Sequence, residues 1–137
     1  MKTPIPVRNA VLAVYAARLD AALSPGVLRI YTGTAPTDAG AVTEQRLLVA
    51  LPLHDPCYSS IEFGSMVLAT IPEQMVTSSG TVGWARLVDG DGNTVGDLTV
   101  GIKDQPTIGT RYEIELPTME LIAGAYLRIT GATIHGA

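Results

Sequence analysis

Asp89-Gly90-Asp91-Gly92-Asn93 places oxygen-bearing side chains at alternate positions, the way a calcium loop of the EF-hand type begins. The rest of such a loop does not follow. Its sixth position is Thr94, where the sharp turn requires glycine, and its twelfth is Val100, where a bidentate glutamate would close the site. Strand-like runs flank the stretch, so the expectation is a metal-free β-hairpin turn in which Asp-Gly supplies the positive φ. Glycines at 90, 92 and 96 also suggest a phosphate cradle. Such a loop must enter a helix whose N–H groups receive the anion, and here a strand follows.

His54, Asp55, Cys57, Ser59 and Ser60 lie close in sequence and include the residue types of a base and a nucleophile. His54 and Asp55 precede Pro56 and read as a turn, no G-x-S-x-G elbow is present, and the other histidine is His135. His54 with Cys57 gives two zinc ligands where a structural site takes four. Cys57 is expected to be a small, inert, semi-buried residue. Glu113 and Glu115 share a strand face, an ordinary arrangement for exposed carboxylates. Trp84 is the sole tryptophan and Phe63 the sole phenylalanine, too few aromatics for a stacking platform, so Trp84 is expected in the core or an interface. No catalytic, cofactor-binding or metal-binding residue is assigned.

The elements that would position these groups belong to one domain, residues 1–137, a length suited to one core. Hydrophobic residues make up 47% and charged residues 16%, a balance that predicts a surface partly covered by protein partners, with self-association as a dimer and, as the alternative, a trimer. The net charge of −4 opposes non-specific nucleic-acid binding, which needs clustered cations. A single cysteine excludes an intrachain disulfide and fits assembly in a reducing cytoplasm. Lys2 and Arg8 precede the apolar run from Ala10 to Ala17, but Arg18 and Asp20 break it, so neither secretion nor a membrane span is expected.

Pro4 and Pro6 open the one long helical pattern, expected over residues 7–23, with Leu12, Tyr15, Leu19 and Leu23, joined by Val11 and Ala22, as its apolar stripe. Ser24-Pro25-Gly26 ends it. The period then becomes two. Strands are expected at 27–31, 45–51, 66–70, 82–88, 95–100, 111–116 and 126–134, with a loop at 33–40. Arg29, Arg86 and Arg128 each stand between apolar neighbours and are assigned to a solvated face, as are Arg111, Glu113 and Glu115 opposite Tyr112, Ile114 and Leu116. The fold class is mainly β, an antiparallel β-sandwich or jelly roll over about 27–135 with one N-terminal α-helix.

Residues Gly26 to Pro36, with a strand ending in Tyr31-Thr32-Gly33-Thr34, and residues Gly83 to Gly92, with Gly83-Trp84-Ala85-Arg86 before an Asp-Gly turn, resemble small virion proteins of tailed bacteriophages. The resemblance extends in pattern from about Gly26 to Ile134 and leaves out the helix. It implies a capsid cement or decoration protein on the virion surface, assembled in the host cytoplasm and bridging subunits of the major capsid protein. It brings no small-molecule substrate, cofactor or catalytic residue. The loops at 33–40 and 103–110, with the helix, are the expected shell contacts. A tail or neck component is the nearest alternative; a small β-sandwich hydrolase or carbohydrate-binding module is the alternative of another class.

Overall fold

A computed structural model describes residues 4–21, 25–54, 56–62, 64–102 and 112–135. Helix α1 (Ile5–Asp20) starts two residues before the apolar periodicity suggests, because Pro4 and Pro6 sit in the first turn, where their missing N–H groups are no loss. The Pro4 carbonyl accepts from the amides of Val7 and Arg8, both at 3.0 Å. Ala21 closes the helix, and the expected extension over 22–23 lies outside the described residues.

The inner side of α1 is Leu12, Ala16 and Leu19, all buried. Tyr15 and Val11, assigned by spacing to that stripe, are instead 37% and 38% exposed. Alanine and valine fill most of the rest of the helix, so periodicity alone does not choose a face. The leucines supply bulk, while Ala16 allows close approach, with its carbonyl 4.0 Å from Cys57 Sγ.

Thirteen strands follow among the described residues: β1 (Val27–Tyr31), β2 (Leu47–Pro52), β3 (Tyr58–Glu62), β4 (Ser65–Leu68), β5 (Gln74–Met75), β6 (Gly80–Thr81), β7 (Trp84–Val88), β8 (Thr94–Leu98), β9 (Val100–Ile102), β10 (Ile114–Leu116), β11 (Glu120–Leu121), β12 (Tyr126–Leu127) and β13 (Gly131–His135). The first sheet has the order β2-β1-β7-β8, the second β3-β4-β13-β10-β9, and two ribbons pair β11 with β6 and β12 with β5. Pairing is antiparallel except between β9 and β10, which run parallel. The chain is thus mainly β with one helix near the N-terminus, in a sandwich-like arrangement.

One core joins the layers. Leu28, Ile30, Ala85, Leu87 and Leu98 from the first sheet meet Met66, Leu68, Val100, Ile114, Leu116 and Ile134 from the second. Helix α1 lies against β3, β4 and β8 and closes that core with Leu12, Ala16 and Leu19. Burying each of these leucines contributes roughly 1.5–3 kcal/mol.

Two expected strands divide. Residues 95–100 contribute to β8 in one sheet and β9 in the other, and residues 126–134 separate into β12 on a ribbon and β13 in the second sheet. Between β12 and β13, Thr130 donates its amide and hydroxyl to the Glu115 carbonyl, which turns the chain toward β10. The loop 33–40 contains a 3-10 turn, Thr37–Ala39, with positive φ at Asp38 and Ala39.

Candidate interaction surface

Alternation along β1 and β7 sends Tyr31, Arg29, Trp84 and Arg86 away from the shared core. Arg86 is nevertheless only 5% exposed, which corrects its assignment to a solvated face. A β-bulge between Leu87 and Val88 shifts the β7–β8 register so that Asp97 stands directly opposite Arg86. The guanidinium forms a fork on that carboxylate, Nε to Oδ1 at 2.7 Å and Nη2 to Oδ2 at 3.1 Å, and Nη2 also donates to the Gly40 carbonyl at 2.7 Å. Hydrogen bonding to Asp97 pushes the Arg86 pKa still higher against the opposing effect of burial, so the side chain stays charged.

The same cation lies 5.1 Å from the centre of the Trp84 ring, which stacks on Tyr31 with centroids 4.7 Å apart. Trp84 Nε1 donates to the Thr32 carbonyl at 3.1 Å. Gly83 has no room for a side chain: a Cβ there would sit 1.8 Å from the Gly33 carbonyl oxygen. Two segments distant in sequence therefore touch each other, Gly83 on Gly33 and Trp84 on Tyr31. Their residue types are accounted for by this packing, which holds the 33–40 segment over the outer face of the first sheet. A groove of about 380 Å³ beside it is lined in part by Thr34, Trp84, Asp97 and Tyr112.

The residues that might have formed a hydrolytic or metal site are dispersed. His54 is exposed, with Nδ1 3.3 Å from the Pro56 carbonyl oxygen. Cys57 is 1% exposed, beneath α1, and its amide donates to the Asp20 carboxylate at 3.1 Å. Ser59 is exposed and bonds the Val67 carbonyl, and Ser60 is partly buried on β3. Asp55 and the His135 side chain lie outside the described residues. Glu113 and Glu115 are both partly buried, with Glu113 exchanging bonds with Thr99. Among the described residues no three His, Cys, Asp or Glu side chains come together as a metal site, and no helix is long and apolar enough to cross a membrane.

Asp89 to Asn93 forms the turn of the β7–β8 hairpin. Asp89 Oδ1 accepts from the amides of Asn93 at 2.9 Å and Asp91 at 3.0 Å. The Asn93 amide, followed by that of Asp91, holds the Asp89 pKa below its ordinary value.

Exposed apolar side chains gather in two places. On α1, Ile5, Val7, Val11, Val14 and Tyr15 are 37–57% exposed although the helix already fills its inner side. On the β5–β12 ribbon, Tyr126 stands directly opposite Met75, and these two with nearby Ile122 are 48–67% exposed. Leu19 meets Gly26 just before β1, whereas the chain after β5 is tied to the Leu48 carbonyl near the other end of that strand. Five strand residues separate these attachments by roughly 13 Å. Sequence spacing placed Val11 and Tyr15 on the inward stripe, assigned Ile5, Val7 and Val14 to no face, and missed the ribbon, because isolated apolar residues in short polar strands carry no period.

No family model, curated protein or solved structure matches this chain.

Proposed function

We propose that this protein is a structural subunit that packs against other protein subunits, and specifically a cement subunit on an assembled phage shell. The observation that carries the reading is the outer side of α1, where Val7, Val11 and Val14 stand exposed although Leu12, Ala16 and Leu19 already serve the core. Soluble monomers rarely keep wide contiguous apolar patches in water. The ribbon patch of Met75, Ile122 and Tyr126 adds a second contact attached at the far end of the first sheet. Two separated contacts on one body suit bridging, since each shell subunit engaged raises the effective concentration of the next. The choice of a phage shell is supported by the resemblance of the segments around Tyr31-Thr32-Gly33-Thr34 and Gly83-Trp84-Ala85-Arg86.

The test mixes purified protein with shells lacking it and measures bound protein and the temperature at which the shells rupture. Saturable binding with a higher rupture temperature, lost in both Val14→Glu and Tyr126→Ser, is the expected result. Both positions are exposed, so neither change should disturb the fold. Binding to isolated tails in place of shells moves the subunit to a tail or neck. Turnover of an ester or glycoside that disappears in His54→Ala overturns the structural reading.

A further inference from the structure

The outer side of α1 carries a second repeat, distinct from the one that faces the core. Val7, Ala10, Val14 and Ala17 recur at alternating spacings of three and four, and all four are exposed. That is the spacing of an a/d seam in a two-helix coil, with valine at each a and alanine at each d. Leu12, Ala16 and Leu19 occupy the opposite side, so the seam and the core contact do not compete for residues.

We infer that this seam is covered by a second copy of the same helix, packed antiparallel. The inference rests on the reading of the helix as an interface and adds the identity and direction of the partner. In an antiparallel pair every a position meets a d position, so Val7 faces Ala17 of the second copy and Ala10 faces Val14. Each layer then sets a large side chain against a small one, the arrangement that lets facing layers interdigitate without voids. A parallel pair would stack valine on valine and alanine on alanine, leaving the alanine layers underfilled.

Charge selects the same direction. Arg18, exposed beside the seam, is the one charged residue that the helix itself places on that outer side. Parallel packing would hold the two copies of Arg18 at the same end of the coil, whereas antiparallel packing sends them to opposite ends and also opposes the two helix dipoles. The acidic group nearest this side, Asp89 of the β7–β8 turn, lies beside Val14 and Arg18, so its charge is answered within the same chain.

Contact area sets the strength. A helix of 16 residues is about 24 Å long, and its outer side offers on the order of 500 Å² per copy, below the roughly 800 Å² of a standard interface. The dimer is therefore expected at micromolar concentrations.

Sedimentation of the full chain over roughly 1–100 µM tests the association. The expected result is a reversible monomer–dimer equilibrium that Val14→Glu weakens by more than about tenfold, since two carboxylates would enter a dry seam. Trp84 fluorescence should stay unchanged in that variant. Direction is tested by mild oxidation: Ala10→Cys chains mixed with Val14→Cys chains should cross-link faster than either alone. A chain monomeric throughout, or a dimer indifferent to Val14→Glu, overturns the inference. Efficient cross-linking of each cysteine variant by itself indicates parallel helices and overturns it too. A monomer that binds shells in a Val14-dependent way removes the second copy but keeps the proposed function. A helix-mediated dimer that ignores shells keeps this inference and removes the shell.

Discussion

Replacing Asp97 with alanine leaves the Arg86 guanidinium at 5% exposure without its counter-ion. Breaking a buried ion pair from one side costs roughly 3–5 kcal/mol, because the remaining charge has neither partner nor water. Two features hold this case to the lower end. Arg86 keeps the Gly40 carbonyl and the face of Trp84, and the Asp97 side is 15% exposed, so water can reach the gap. The expected loss is about 3 kcal/mol, a large part of the roughly 5–15 kcal/mol by which a domain is stable. Converting both partners to apolar residues, Arg86→Met with Asp97→Leu, removes both charges and leaves mainly the Gly40 carbonyl short of a donor, at about 1–2 kcal/mol. The double variant should thus be more stable than Asp97→Ala alone. Urea unfolding followed by the fluorescence of Trp84, the only tryptophan and 3% exposed, reads both. A loss below about 1 kcal/mol for Asp97→Ala, or a double variant less stable than the single, would refute the buried-pair reasoning.

Gly83→Ala should cost about 3 kcal/mol or prevent folding, since the added Cβ would have to displace the Gly33 backbone; the unfolding midpoint measures it. On α1, Leu19→Ala should lose roughly 2–5 kcal/mol by opening a cavity, whereas Val14→Ser at sub-micromolar concentration should lose little, because Val14 is 57% exposed; paired denaturation curves test the assignment of faces. The depressed pKa of Asp89 means that its contribution to the turn is fully present above the ordinary carboxylate value of about 4 and is lost as pH falls through the lower folded value. The Asn93 amide resonance should therefore titrate at lower pH than an ordinary aspartate, and titration at or above about 4 would contradict the bonding described.

How far the sequence could be read depended on how regular each piece of structure is. Strand β1 was legible end to end, since it is flanked by Gly26 and alternates cleanly between Leu28 and Ile30 and the residues facing away. Strand β3 was missed: Tyr58-Ser59-Ser60-Ile61-Glu62 is an edge with no fully buried residue, and an edge needs no apolar alternation. The run 126–134 looked like one strand because composition does not reveal that Thr130 bonds sideways to Glu115. Arg86 illustrates the limit most clearly. A regular hairpin turning on Asp89 to Asn93 would set Gly96 opposite it, and only the one-residue bulge supplies Asp97. The outer side of α1 was legible as composition, in its alanines and valines, but which side faces inward was settled by tertiary packing against Cys57 and Gly26.

The pairing of β1 with β7 also governs how the chain can fold. Between Tyr31 and Trp84 it builds β2 through β6, so the central pair of the first sheet closes only after a long stretch has been made and partly ordered. Closing so distant a contact spends chain entropy before any packing is gained, which places folding on the millisecond-to-second scale of β-rich domains. During synthesis β1 and β2 emerge long before β7, and until then Leu28 and Ile30 have one strand beside them and an open edge on the other side. Slow translation between codons 52 and 84 would lengthen the time that this half-built sheet is exposed, and with it the risk of aggregation.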